Sequence, residues 1–447
     1  VFGGKGLRKY LLIFQNPNEI RPTGGFIGSF AILEIKDGKI KDLTIPPGGS
    51  YDLQGLLDEY VEPPAPLLVI ADRWHFRDAN WFADFPSSAE KLMWFYRHSK
   101  HITTDGVIAI NATVLQRILS ITGPMMDEKR DLKLTSNNAI NKIQEVVENG
   151  EEKRQSKPKQ VIADLAPQFI NSFQKIDTKN ALSLLNNFQD SLSKKEIQMH
   201  FVDPLPKQTV DKYSWNGKIA QTKDGQDYLM VVNTNINGRK SDFKINQKVT
   251  HQSLVKEDGS IINTVTIERT HNGKSGEPYY GYPNTNYLRL YVPLGSRLIK
   301  SGGFTWLDEK FFKAPSKYTK SDTDLNNLIK ETGFDPMTGT RITEEFNKTS
   351  FGNWLVTEPG KTSKVFFTYQ LPFKINPDKK TEKKWFDLIK NQFSTANYQL
   401  IAQKQSGVDS QFNSTIIFPN GWTPKWNQGS NMKLASNGAV VTNMTLD

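Results

Sequence analysis

Tyr10–Gln15 (YLLIFQ) and Phe26–Ile35 (FIGSFAILEI) are two short apolar runs joined by the turn-rich stretch Asn16–Gly25 (NPNEIRPTGG). Their length and the Pro, Gly and Asn between them predict two buried strands rather than one helix. Asp37-Gly38 turns the chain into a third strand over Lys39–Ile45. A short helix is expected at Leu53–Val61 (LQGLLDEYV), followed by another apolar run at Leu67–Ile70. Ser87 and Glu90 stand at capping-box spacing before LMWFY, which predicts a helix over Ser88–His98. Asp105–Ile110 (DGVIAI) reads as a strand, Asn111 as the N-cap of TVLQRILSI, and Gly123-Pro124 as its stop. Strand alternating with helix is the pattern of an α/β domain.

Helical periodicity then dominates Thr135–Ser193, interrupted by the charged stretch Glu148–Lys159, read as a solvated loop. The character changes around His200–Lys212. From Trp215 onward, short alternating segments such as YLMVVNTNI (228–236), TVTIERT (264–270) and SKVFFTYQLP (363–372) are separated by turn residues, as in an antiparallel β-sandwich. LNNLIKETGF (325–334) predicts a helix within an insertion. The expected plan is an α/β domain over 1–204, with a helical part at 135–200. An all-β antiparallel sandwich follows over 205–447, with an insertion near 311–349.

The 447 residues suffice for two or three domains. With 37% hydrophobic and 23% charged residues and a mean hydropathy of −0.53, the chain is neither an integral membrane body nor wholly disordered. No run approaches the roughly 18 apolar residues of a membrane span. The absence of cysteine excludes disulfides, thiolate metal sites and a cysteine nucleophile. Position 1 is Val rather than Met, which points to a start behind a removed signal or membrane anchor. Up to Met126 there are 13 Lys and Arg against 13 Asp and Glu, so the net +10 belongs to the remainder. Those lysines are dispersed, which favours non-specific attraction to an anionic envelope surface over nucleic-acid recognition.

Phosphate-loop, nucleophile-elbow and H-E-x-x-H motifs are absent, and Asp322-Thr323-Asp324 reads as a solvated loop rather than a calcium site. Two stretches carry chemistry. In Asn16–Ser29 (NPNEIRPTGGFIGS), Glu19 and Arg21 follow a buried strand, and Gly24-Gly25 permit a close backbone approach. In Asp72–Pro86 (DRWHFRDANWFADFP), Arg73 and Arg77 crowd with Asp72, Asp78 and Asp84 beside Asn80, Trp74 and Trp81. Arginine forks suit phosphate, neighbouring aspartates suit Mg²⁺ or a hydroxyl proton, and tryptophans suit a sugar or prenyl face. The alternative is that Arg77–Asp78 and Arg73–Asp84 are ion pairs organising a long loop around packed tryptophans.

RPTGGFIGS (21–29), FRDANWFADFPSSA (76–89), DGVIAINATVLQRILSITGP (105–124), DYLMVVNTNINGRKSDF (227–243), YLRLYVPLGS (287–296) and IAQKQSG (401–407) resemble a bacterial family of envelope proteins defined as a domain of unknown function. The resemblance runs over most of the chain. It implies an extracytoplasmic, cell-surface body behind an N-terminal membrane anchor.

More distantly, the first part is similar to LytR-CpsA-Psr enzymes, which transfer polyprenyl-diphosphate-linked glycopolymers onto the cell wall. YLLIFQ resembles their first strand, Thr44-Ile45-Pro46-Pro47 their S-I-P-R, and the GVIAIN…TGP block their closing unit. Pro47 replaces the arginine, and Thr23 stands where an aspartate belongs. This likeness implies an α-β-α layered fold and phosphoryl-centred glycan transfer, with Arg21, Arg77 and Asp78 catalytic. It further implies substrate binding by Arg73, Asn80, Trp81, Glu19, Gly24 and Gly25, and Mg²⁺ held by Asp78 and Asp84. The donor is a polyprenyl-diphosphate glycan or wall polymer, its prenyl chain in a tunnel lined by Phe26, Phe30, Leu33 and Trp94–Phe95; the bland reading of those residues is plain core. The missing arginine keeps a second class open: a non-catalytic envelope protein that binds a glycan, lipid or protein partner, or a structural surface component.

Overall fold

The structure, a computed structural model, describes residues 6–174, 177–375, 395–429 and 432–445. Among the described residues the chain is mixed α/β, with four mostly antiparallel sheets. The first sheet holds β1 (Arg8–Asn16), β2 (Phe26–Lys36), β3 (Lys39–Thr44), β4 (Gly106–Asn111) and a last strand, Ile197–Phe201. Its order is β3-β2-β1-β4 and then Ile197–Phe201, with β1 and β4 parallel and every other pair antiparallel. The parallel register sets Gln15 beside Asn111, so two polar side chains meet where both strands end.

Period-two alternation decides which side chains go to which face. Leu11, Ile13, Val107 and Ala109 enter one core with Leu92 and Phe95 of helix α1 (Phe85–Lys100). Tyr10, Ile108 and Ile110 face the other way, toward Val114 of α2 (Ala112–Thr122) and Leu192. Beyond α2, helices Ala139–Asn149 and Gln160–Gln174 close a smaller core with Leu119 and Leu134. A hairpin, Met125–Asp127 with Leu132–Leu134, sits beside them.

The remainder supplies two large sheets. A six-stranded one runs Ile329–Asp335, Thr340–Glu345, Lys348–Thr357, Asn284–Pro293, Asp227–Asn235 and Leu400–Ala402. A seven-stranded one runs Arg297–Gly302, Thr362–Lys374, Ser260–His271, Ile245–Val255, Ser410–Ile417, Gly438–Thr445 and Met432–Ala435. One apolar cluster takes Leu288, Leu290 and Phe351 from the first sheet and Val249, Val265 and Phe367 from the second. Another crosses to the first part of the chain, where Trp74, Trp81 and Phe82 share a core with Ile236, Tyr287 and Trp354.

Several local expectations are corrected. Leu53–Val61 is not a helix; Gly49–Leu53 and Ala65–Val69 are single 3₁₀ turns, because Gly55, Pro63, Pro64 and Pro66 deny the segment continuous helical hydrogen bonding. α1 starts earlier than Ser88, with Asp84 rather than Ser87 at its N-cap and Pro in its first turn. Glu148–Lys159 is not uniformly solvated: Glu151–Arg154 makes a helical turn and Lys159 is half-buried. Within the insertion the helix covers only Thr323–Leu328, since Ile329–Asp335 pairs with Thr340–Glu345 and joins the six-stranded sheet. Asp322 is no solvated loop residue either; it is buried and lies 2.7 Å from the ammonium of buried Lys91, which also meets Asp324 at 2.6 Å. Among the described residues no helix is long and apolar enough to cross a membrane.

Candidate functional site

The loop Arg21–Gly25 leaves β1 and returns to β2, and it is buried from end to end. Gly24 and Gly25 have φ of +135° and +154°, a region closed to most side chains. A Cβ on Gly24 would lie 2.4 Å from Asn111 Oδ1, and one on Gly25 2.3 Å from the Asn16 carbonyl. The close approach that these glycines permit is therefore to the protein itself.

Buried backbone polar groups need partners, and amide side chains from all over the chain supply them. Gln15 Nε2 donates to the Thr23 carbonyl at 2.9 Å and to Asn111 Oδ1 at 3.1 Å, while Gln15 Oε1 accepts from Thr23 Oγ1 at 2.7 Å. Asn80 Nδ2 donates to the Gly25 carbonyl at 2.9 Å and to Gln15 Oε1 at 3.1 Å. Gln198 Nε2 reaches the Thr23 carbonyl at 2.6 Å, and Gln405 Nε2 the Arg21 carbonyl at 3.1 Å. Asn111 Nδ2 donates to Ser406 Oγ at 3.2 Å. Gly407 packs so close that a Cβ there would sit 2.4 Å from the Gly24 carbonyl oxygen. The blocks at 21–29, 76–89, 105–124, 227–243 and 401–407 thus converge on one buried loop.

Arg21 is 3% exposed and fully engaged. Its Nη2 lies 3.2 Å from Asp78 Oδ1 and 3.3 Å from Glu19 Oε1, and its Nη1 donates to the carbonyls of Ile20 and Asn235. Asp78 is equally buried, and its other oxygen lies 3.5 Å from Arg77 Nε. Arg77 also donates to Gln54 Oε1 at 2.7 Å, over the Tyr51 ring. Glu19 Oε2 takes Lys240 Nζ at 3.2 Å. Arg73 does not join this group; its guanidinium covers the Tyr60 ring at 4.4 Å. The Arg77–Asp78 pair forms as the ion-pair reading expects, whereas the Arg73–Asp84 pair does not.

Trp81 stacks with Tyr287 and lies under the Arg289 guanidinium at 4.4 Å, so it is a packing element between the two parts of the chain. Asp84 stands buried at the N-cap position of α1 and accepts the Ile219 amide at 2.9 Å and Ser87 Oγ at 3.0 Å. Burial raises its pKa above the ordinary carboxylate value. Both carboxylates already serve donors of the protein, Asp78 those of Arg21 and Arg77, Asp84 the Ile219 amide and the Ser87 hydroxyl. Among the described residues no three His, Asp or Glu side chains gather as a metal site needs.

Sequence reasoning singled out seven of the residues that meet here, Glu19, Arg21, Gly24, Gly25, Arg77, Asp78 and Asn80, but missed Gln15, Asn111, Asn235, Gln198 and Gln405. Most of them lie inside or beside the quoted blocks, so polar residues ending apolar strands were the available signal. Phe30 and Phe95, offered as tunnel lining, are fully buried core. An apolar groove of about 290 Å³ does exist elsewhere, between Leu43 of β3 with Ile45 just beyond it and Ala163, Ala166, Pro167 and Ile170 of the Gln160–Gln174 helix.

Residues 5–147 match the family described as "Protein of unknown function (DUF4012)". No curated protein matches the chain. Among solved structures it is similar to the Lin1025 protein from Listeria innocua, at 14% identity over 51% of this chain and 87% of that one, with a TM-score of 0.25. It is also similar to a mutant M1 zinc metallopeptidase from Deinococcus radiodurans, at 9% identity over 45% of this chain and 39% of that one, with a TM-score of 0.19. Likeness this low carries no argument about fold or chemistry.

Proposed function

We propose that this chain is a non-catalytic extracytoplasmic protein of the bacterial cell envelope, tethered by an upstream anchor, that binds a glycan, lipid or protein partner. In this reading the two large sheets form a β-sandwich spacer, and the Arg21–Gly25 loop is a clasp fixing the α/β part onto it. The observation that carries it is the commitment of Arg21, whose guanidinium is spent on Asp78, Glu19 and two carbonyls. A phosphate clamp needs donors aimed at open space, which this guanidinium lacks.

The apolar groove beside the Gln160–Gln174 helix favours a second reading, a LytR-CpsA-Psr-like transferase that seats a prenyl tail there. Calorimetry with a short polyprenyl diphosphate, with and without Mg²⁺, separates the two. The non-catalytic reading expects any binding to be independent of Mg²⁺ and unchanged in Arg77→Ala. Micromolar binding that needs Mg²⁺ and collapses in Arg77→Ala would establish the second.

A further inference from the structure

Lys159 sits just before the Gln160–Gln174 helix, its amide bonded to the Pro47 carbonyl at 2.7 Å. Its stem crosses Gly49, where a Cβ would come within 2.8 Å of Lys159 Cγ, and its ammonium ends over Gly28, 3.3 Å from the place of a Cβ. Two glycines from separate segments thus open the space that this side chain occupies. The Phe26 ring borders the same point, 3.6 Å from that Gly28 position. Lys240 Nζ lies 5.7 Å from the Phe26 ring centre. Among the described residues the Lys159 ammonium has neither a hydrogen bond nor an ion pair.

The surrounding anions are already used. Glu19 serves Arg21 and Lys240, and Glu148 serves Lys153. Burial, with Lys240 adding repulsion, lowers the Lys159 pKa to about 8. Glu148 and Glu19 attract it from a distance, but with both already bonded to other cations, a half-buried ammonium beside a second one gains from an arriving anion.

We propose that Lys159 and Lys240 form an anion site for a phosphoryl group, seated over Gly28 beside Phe26. A phosphoryl group carries close to two negative charges and several acceptor oxygens, which matches two ammonium groups better than a carboxylate does. Glycine at position 28 leaves the Lys159 ammonium room to lie against the strand, where it can meet an incoming oxygen. The site borders the clasp, since Glu19 pairs with both Arg21 and Lys240 and the Arg21 guanidinium lies 5.3 Å from the Phe26 ring centre, but Lys159 itself pairs with none of the clasp residues.

Calorimetric titration with inorganic phosphate near neutral pH tests this on the wild-type chain, Lys159→Met, Lys240→Met and Lys374→Met, the last being an exposed pair partner of Asp258. Binding is expected to weaken about tenfold or more in the first two variants and to be unchanged in the third. Above about pH 8, wild-type binding should take up a proton, read from the dependence of heat on buffer ionisation, because the bound anion restores the Lys159 charge. Lys159→Arg keeps the cation and should retain binding if Lys159→Met fails to fold. Equal affinity for inorganic phosphate and glycerol 3-phosphate would show that the phosphoryl group alone is recognised. Tighter binding of dihexanoyl phosphatidate would point to a lipid headgroup as its source. Absence of phosphate binding to the wild type, or Lys159→Met binding within twofold of it, would overturn the proposal.

Discussion

Arg21 and Asp78 stand 57 residues apart in the chain and 3.2 Å apart in the fold, both almost wholly buried. Around that pair the protein has assembled Glu19, Arg77, the Asn235 carbonyl and a set of amide side chains. Residues that stand far apart in one dimension meet, in three, where the loop after β1 touches the strand Asp227–Asn235 and the 401–407 segment.

Removing one member of a buried ion pair leaves the other charge uncompensated. Arg21→Met is expected to destabilise the chain by about 3–5 kcal/mol, read from the shift in urea midpoint. Arg73→Met, which loses an aromatic contact on Tyr60 and no ion pair among the described residues, should cost about 1 kcal/mol. Equal costs would contradict the assignment of Arg21 to the clasp.

Gly407 and Gly360 share a positive φ, +77° and +75°, yet only Gly407 faces an obstacle, the Gly24 carbonyl. Alanine at position 360 should cost about 1 kcal/mol from backbone strain alone. Alanine at 407 should cost at least about twice that, because backbone must move. Thermal denaturation of the two variants side by side gives the comparison, and identical melting temperatures would argue that the 401–407 block is not seated on the loop.

Asp227 is fully buried, accepting from Asn263 Nδ2 at 2.7 Å and Tyr398 OH at 2.6 Å, with His251 3.9 Å away. Burial raises its pKa from 3.8 to about 6. The folded chain therefore holds this proton more tightly than the unfolded chain. The stability it contributes is present below about pH 4 and lost as the pH rises through 6. Asp227→Asn keeps one acceptor oxygen for Asn263 and Tyr398 and removes the titration. The stability of the wild type minus that of the variant should fall by up to about 3 kcal/mol between pH 4 and 7, at about 1.4 kcal/mol per pKa unit. Urea unfolding across that range measures it, and a flat difference would show that Asp227 titrates normally.

Lys91 is 1% exposed, sandwiched between Trp74 and Trp94 and paired with Asp322 and Asp324. Lys91→Met should lower stability by about 3–5 kcal/mol, since Asp322 would be left buried without its counter-ion. Amide exchange in 320–328 should accelerate more than in α1; protection unchanged there would assign the anchoring of that segment to other contacts.

The strands of the first sheet are legible because each is a short apolar run bounded by Gly, Pro or Asn, and period-two burial follows directly. The 3₁₀ turns at 49–69 are less legible, because LQGLLDEYV has helical spacing and only tertiary context lets the nearby prolines prevail. Ile329–Asp335 is misread for a related reason: its helix signal is overridden by pairing with Thr340–Glu345. Arg21, Asp78, Asn80 and the paired glycines are identifiable as special from residue type alone. Their meaning is not, since it depends on partners such as Gln405, 384 residues away. Lys159 is hidden by its neighbours: in a run of charges, nothing in the order of residues shows that one lysine turns inward over two glycines.

Hydrogen exchange on the wild type and Arg21→Met bears most directly on the clasp, because segments tied to one joint must open together. The account predicts that Arg21→Met lowers protection jointly at 72–84, 227–235 and 403–407, three stretches far apart in sequence and adjacent at the loop. Loss of protection confined to a few residues around position 21, with the other segments at wild-type rates, would contradict it.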